Sequence, residues 1–192
     1  MLPVADDPRR VENELAAGVL SCPGCGGQLG PWGWARTREL RAQPSRSLRP
    51  RRSRCRACSS THVLVPTCGL LRRRDAIEVI GAALLAKHAG QGHRTIAATL
   101  GVPAATVRGW LRRFTARAEE LRVMATVWAL RVDPMHPRID PRGSPFSDAL
   151  EALGLAAAAH LRLVQQQARS RWHVVAALTG ALMLATQPLP AR

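Results

Sequence analysis

The sequence predicts a mainly α protein with a small β segment near its N-terminus, on three observations. Apolar residues recur at three-to-four spacing over residues 72–132 and again over 146–187, the period of helices packed by one face. Residues 22–70 break that period and are rich in Gly, Pro, Arg and Ser, with short strand-like runs such as Thr61-His62-Val63-Leu64-Val65. Four of the five cysteines fall in that irregular stretch, in two pairs.

In chain order, residues 1–21 form a short acidic segment. Val11–Leu20 has the pattern for a helical turn or two, with low order as an equal alternative. Residues 72–132 read as helices broken at Gly90-Gln91-Gly92 and at Gly101. Asp75–Ala89 is the first, with Ile77, Ile80, Leu84 and Leu85 as its apolar face, and the last meets no strong breaker until Asp133-Pro134. Residues 133–145 form a proline-studded linker. Residues 146–187 read as a helical hairpin broken near Ala168–Arg171, with Ser147 or Asp148 as N-cap. The stripe Val107, Trp110, Leu111, Phe114, Ala118, Leu121, Ala125 and Trp128 suits a dimer seam or packing within the chain. Packing within the chain is expected, with Leu150, Leu153, Leu155, Leu161, Leu163 and Val164, then Val174, Val175, Leu178, Leu182 and Leu184, as its cover.

The cysteines carry the first chemistry. Cys22-Pro23-Gly24-Cys25 and Cys55-Arg56-Ala57-Cys58 are two C-x2-C knuckles separated by 29 residues. Each knuckle turns the backbone so that two thiolates converge, and two knuckles supply the four ligands of a closed tetrahedral site. Gly24, Gly26 and Gly27 suit the tight turn. A loop-rich segment of this size buries too little apolar surface to hold itself together, and structural Zn²⁺ would supply the missing folding free energy. The expected element over 22–70 is therefore a zinc ribbon with Cys22, Cys25, Cys55 and Cys58 as ligands. A thioredoxin-like redox site needs a βαβ frame that is missing, and two disulfides need export. Cys68 reads as a small buried apolar residue, and His62 could replace a ligand without being needed.

The second motif is His93-Arg94-Thr95-Ile96-Ala97-Ala98-Thr99-Leu100-Gly101-Val102-Pro103-Ala104-Ala105-Thr106-Val107-Arg108-Gly109-Trp110-Leu111-Arg112-Arg113-Phe114. Ile96 and Leu100 share one helix face, and Ala97 is small where a second helix crosses. Gly101 supplies a left-handed turn, Val102 plugs the gap, and Pro103 opens the next helix. Val107, Trp110, Leu111 and Phe114 form its buried stripe. These features predict a helix-turn-helix, completed by Asp75–Ala89 into a three-helix, homeodomain-like unit. Ala104, Ala105, Thr106, Arg108, Gly109, Arg112 and Arg113 lie on the opposite face as groove-facing candidates. Arg108 or Arg112 suits guanine edges, Ala104, Ala105 or Thr106 suits thymine methyls, and phosphate contact is the equal alternative for the three arginines.

Charge follows the same division. The chain carries 28 Lys+Arg against 13 Asp+Glu, a formal +15, with Lys87 its single lysine. Between residues 22 and 75, twelve arginines against Glu39 and Asp75 give +10. Nine of them, including Arg49, Arg51, Arg52 and Arg54, fall within residues 36–56, just after Trp32 and Trp34. Arg72, Arg73 and Arg74 form a basic arm before the first helix. Arginine at this density points to a polyanionic partner, and duplex DNA is the expected one. The first 20 residues carry four acids and no apolar run of a secretory signal, and Trp172–Ala191 is too short and interrupted to span a membrane. A cytoplasmic, nucleoid-associated location without membrane contact is expected.

The runs CPGCGG, WGWAR and RSRCRACSSTHVLVP, then RRRDAIEVIGAAL and GHRTIAATLGVPAATVRGWLRRF, resemble actinobacterial zinc-ribbon plus helix-turn-helix proteins. Those in turn are similar to the DNA-binding N-terminal part of insertion-sequence transposases. The resemblance covers about residues 22–122 and implies sequence-specific DNA binding in a mobile-element or regulatory setting. Strand transfer itself is not expected. The acids after the motif (Glu119, Glu120, Asp133, Asp140, Asp148, Glu151) lie on predicted helices or in the linker, without the strands a metal-dependent nuclease needs. His88, His136, His160 and His173 are isolated, and no nucleophile elbow occurs, so no enzymatic activity is expected. Two functions stay open: a DNA-binding regulator or transposition-recognition component, or an adaptor whose ribbon and C-terminal helices bind a transposase or polymerase subunit. A homodimer is open as well.

Overall fold

A computed structural model describes residues 1–42, 44–135, 140–165 and 170–189. Among the described residues, six strands lie in the first third of the chain: β1 (Leu2–Val4), β2 (Leu29–Trp34), β3 (Arg38–Leu40), β4 (Arg46–Leu48), β5 (Arg51–Cys55) and β6 (Thr61–Pro66), with α1 (Pro8–Ala16) after β1. Six more helices follow among the described residues: α2 (Ile77–His88), α3 (His93–Leu100), α4 (Ala104–Ala116), α5 (Ala118–Val132), α6 (Pro145–Leu163) and α7 (Arg171–Leu178). Mainly α with a small sheet is the architecture.

Four strands form a sheet in the order β1, β6, β5, β2, parallel between β1 and β6 and antiparallel elsewhere. Pro31 lies in β2, an edge strand, where a missing N–H costs no ladder bond. A bulge between Pro31 and Gly33 leaves Trp32 unpaired, and both Trp32 and Trp34 are exposed. The acidic residues 1–21 belong to this layer rather than preceding it. Asp7 caps α1 by accepting the Arg9 N–H at 2.9 Å, and Val11 and Leu15 face inward. With Val4, Leu29, Leu64, Cys22 and Cys55 they make a small core. The hairpin β3–β4 fills the interval between the knuckles, and its Leu40 packs on Cys68 and Ala76. Cys68 is buried as expected, and burial pushes its thiol up to about 12.

The helices share one large core. Helices α3 and α4 are joined by Gly101-Val102-Pro103: Gly101 sits at φ 62°, the Val102 N–H bonds to the Ala97 carbonyl at 3.0 Å, and Val102 is buried. Helix α2 packs behind both, with Ile77, Ile80 and Leu84 buried, whereas Leu85 points to solvent. Gly81 of α2 lies under the Trp172 ring of α7; a Cβ there would come within 2.1 Å of it.

Four expectations need correction. The last helix of 72–132 is two helices, broken at Arg117. Neither Pro nor Gly causes this. At the break the half-buried Arg117 guanidinium donates to the carbonyls of Leu182 (2.6 Å) and Ala185 (2.7 Å), and to Glu120. The N-cap of α6 is Ser144, not Ser147 or Asp148. Ser144 accepts the Ser147 N–H, and Pro145 opens the first turn. Leu163 and Val164 at the end of α6 are exposed rather than part of the cover. The apolar C-terminal run is helical only to Leu178, because Gly180 (φ 63°) and Ala181 (φ 61°) turn left-handed and fold Met183 and Leu184 back into the core. The break near Ala168–Arg171 and part of the 133–145 linker, His136 included, lie mostly outside the described residues.

Helices α5 and α6 run parallel: Phe146 stacks edge-on to Phe114 at one end, and Trp128 meets His160 near the other. Ala118, Leu121, Ala125 and Ala129 face Ala149, Ala152, Leu153 and Ala156, so the expected stripe is buried within the chain. None of the described helices is long and apolar enough to cross a membrane.

Candidate metal centre and arginine-rich face

The two knuckles fold alike. In the first, the Gly26 N–H bonds to the Cys22 carbonyl (2.8 Å) and the Cys22 N–H to the Gly27 carbonyl (2.7 Å). In the second, the Ser59 N–H bonds to the Cys55 carbonyl (3.1 Å) and the Cys55 N–H to the Ser60 carbonyl (2.9 Å). The fifth residue is left-handed in both, Gly26 at φ 73° and Ser59 at φ 60°. Gly27 also makes room, since a Cβ there would lie 2.7 Å from Ala57 and against two of the sulfurs. The sheet brings the knuckles together through the β2–β5 pairing, in which Leu29 faces Cys55.

The four sulfurs of Cys22, Cys25, Cys55 and Cys58 consequently lie within 4.8 Å of one another. Cys22 and Cys58 are 3.8 Å apart and Cys25 and Cys55 3.5 Å. A tetrahedron with ligand bonds of about 2.3 Å has edges of about 3.8 Å, so the cluster fits one metal ion bound by four thiolates. The thiols interact strongly. Hydrogen bonds from the Ser60 side chain and backbone hold Cys58 down to about 6. At Cys25 a backbone bond from Gly27 is outweighed by the neighbouring thiols, which push it up to about 12. His62 Nε2 stands 3.3 Å from Cys22 Sγ, in position for a ring N–H to donate to that sulfur from outside the ligand set.

The predicted DNA-contacting residues divide by environment. On α4, Ala105, Arg108 and Arg112 are exposed, while Ala104, Thr106, Gly109 and Arg113 are half-buried. Arg113 folds back so that its Nη1 donates to the Gly109 carbonyl at 3.2 Å. A Cβ on Gly109 would crowd that guanidinium at 3.0 Å, so this glycine seats Arg113. In the sheet, Arg54 lies over the Trp32 ring at 4.6 Å, and Arg51 and Arg49 lie over Trp34 at 4.8 and 5.8 Å. Arg51 is committed within the chain, paired with Glu12 at 2.6 Å and donating to the Gly33 carbonyl. Arg52 is half-buried on β5, and Arg49 is exposed.

The stretch Arg72–Arg74 is a pinned turn. The Arg41 N–H bonds to the Arg74 carbonyl (2.7 Å), the Leu71 N–H to the Ala181 carbonyl (2.9 Å), and Arg73 Nη2 to the Leu184 carbonyl (2.8 Å). It faces the Thr106–Arg113 edge of α4.

A second charged cluster carries no local signal in the sequence, because its members lie at positions 6, 78 and 173. His173 is not isolated: its Nδ1 meets Asp6 at 2.6 Å and its Nε2 meets Glu78. Burial pulls the imidazolium down, but the two carboxylates prevail and raise it to about 9. The other histidines are modest contacts, His88 with Ser147 and His160 with Trp128. Several of the acids that follow the helix pair are engaged in ion pairs, Glu119 with Arg122, Asp133 with Arg162 and Glu151 with Arg142. No family model, curated protein or solved structure matches the chain.

Proposed function

We propose that the chain is a zinc-containing protein that binds duplex DNA, as a transcriptional regulator or as the recognition component of a transposition system. The observation that carries this reading is the outer face of α4. Ala105, Arg108 and Arg112 stand exposed opposite the buried Val107, Trp110 and Phe114, and the pinned arginines 72–74 border the same face. A helix of 13 residues is about 20 Å long and fits a major groove about 12 Å wide. The α3–α4 pair then acts as a helix-turn-helix, with α4 in the groove and α2 and α3 bracing it. Arg108 and Arg112 reach base edges, Ala105 offers a methyl contact, and Arg72–Arg74 with Arg113 meet phosphates.

Four thiolates suit Zn²⁺, and with every position taken by protein the ion would stabilise the fold without taking part in a reaction. Arg49 and Arg54, carried on the tryptophan-backed edge of the sheet, extend the basic surface. No residue has a catalytic role in such a protein, and its place is on the nucleoid.

Gel shifts of the zinc-loaded chain test it. Each neutralised phosphate contributes about −0.9 to the log–log dependence of affinity on salt, so binding should weaken steeply as salt rises. Replacing Arg108 and Arg112 by Ala should lower affinity for a selected site by about 1–3 kcal/mol for each arginine that pairs with a base, and leave thermal stability unchanged. Unaltered DNA binding in that variant would make α4 a protein-contacting helix and favour an adaptor.

A further inference from the structure

Arg41, Arg72, Arg73, Arg74 and Arg113 line a cleft of about 270 Å³ between the segment leading into α2 and the Thr106–Arg113 edge of α4. Asp75 is the single carboxylate among the described residues of its wall, and Arg41 Nε already holds it at 2.8 Å. One carboxylate against five arginines leaves the described residues of the cleft with an excess of positive charge, although Asp75 also acts favourably on Arg73. Arg73 is the most confined. Its Nη2 donates to the Leu184 carbonyl at 2.8 Å and its Nη1 to the Arg72 carbonyl at 3.4 Å, while its Nε is buried without a hydrogen-bond partner among the described residues. Burial and then the neighbouring Arg113 charge pull the Arg73 guanidinium below its ordinary value, against a smaller opposing pull from Asp75. Like charges gathered in a half-buried place raise the folding cost unless an anion joins them.

The walls are also set in advance. Backbone bonds on both sides fix Arg72–Arg74, and Arg72 is held at φ 57°, a conformation that side-chain-bearing residues seldom adopt. Across the cleft, Gly109 gives the Arg113 guanidinium its resting place on α4. Pre-set donors lose little entropy on binding. A planar guanidinium on each wall matches the oxygens of a tetrahedral phosphate.

We propose that this cleft is a dedicated seat for a phosphate group, clamped between Arg73 and Arg74 on one wall and Arg113 on the other. The site recognises phosphate as such; its identification with a backbone phosphate of the duplex rests on the DNA-binding reading. On that reading Arg113 positions α4 in the groove and leaves Arg108 and Arg112 to the bases.

Inorganic phosphate, titrated into the zinc-loaded full chain against sodium chloride of equal ionic strength, is the probe. Thermal melting should show a saturable rise in Tm with phosphate that chloride does not reproduce. Arg74→Gln with Arg113→Gln should abolish the rise. Neither side chain ties distant parts of the fold together, and circular dichroism of the variant should match the parent. The same variant, titrated with duplex, distinguishes the sources. A salt slope smaller by about one and an affinity lower by about tenfold assign the seat to the DNA backbone. Unchanged duplex binding with the phosphate response abolished leaves the seat in place and assigns it to a free phosphate compound. No saturable rise in the parent, or an equal rise in the variant, overturns the proposal, and duplex binding by the parent would then stand without it.

Discussion

Substituting His173 by Gln should destabilise the protein in a pH window set by its two carboxylate partners. His173 on α7 bridges Asp6, which follows β1, and Glu78 in the first turn of α2, so it ties the sheet layer to the helices. Its pKa is raised from 6.5 to about 9. A group raised on folding contributes most below its unfolded value and loses that contribution as pH climbs through the folded value. The stabilisation should therefore be complete near pH 6 and fade between about pH 6.5 and 9. At about 1.4 kcal/mol per pH unit the shift corresponds to roughly 3 kcal/mol. Solvent screens the Glu78 arm, whose side chain is 43% exposed, and lowers the expected contribution to about 2 kcal/mol. Asp6 and Glu78 are both held below their ordinary values; their contribution persists above the carboxylate range and is lost as pH falls through the lowered values. Urea unfolding of parent and variant, followed by the helical signal from pH 6 to 9.5, measures this. Curves that converge toward pH 9 are expected; curves that stay parallel across the window would refute the bridge.

Other perturbations separate the two layers. Removing the metal by chelation at pH 7 should abolish the sheet signal and leave most of the helical signal, because the core around Cys22 and Cys55 is small and distinct from the helical core. A sheet unaffected by a strong chelator would mean that the cysteine cluster holds no structural ion. Gly81→Ala should lower Tm even though Ala favours helix by up to about 1 kcal/mol, since its Cβ meets the Trp172 ring at 2.1 Å and overpacking costs about 1–3 kcal/mol or more. A rise in Tm would place Trp172 elsewhere.

Local features were legible in the sequence where chemistry and turn geometry act over a few residues. The paired C-x2-C spacing is enough to converge four thiols, and Gly101-Val102-Pro103 is enough to end one helix and begin another. Helix faces were legible too, apart from Leu85, Leu163 and Val164. What escaped depends on distant partners. β1 is three residues long, with a partner strand some sixty residues away, too little for local pattern to register. The break at Arg117 goes with side-chain bonds to carbonyls at 182 and 185, and no local breaker marks it. His173 looked isolated because its carboxylates lie at positions 6 and 78. The arginine cleft was hidden for the same reason: residues 41, 72–74 and 113 meet only after the hairpin, the turn and α4 have packed together.

On the proposed function, a metal-supported, arginine-bearing protein reads duplex DNA through α4. Selection of bound duplexes from a random pool, with zinc content measured on the same preparation, tests it most directly. About one zinc per chain is expected, together with an enriched sequence motif that disappears when Arg108 and Arg112 are replaced by Ala. Pools that remain random after repeated rounds, or a motif that survives in the variant, would contradict it.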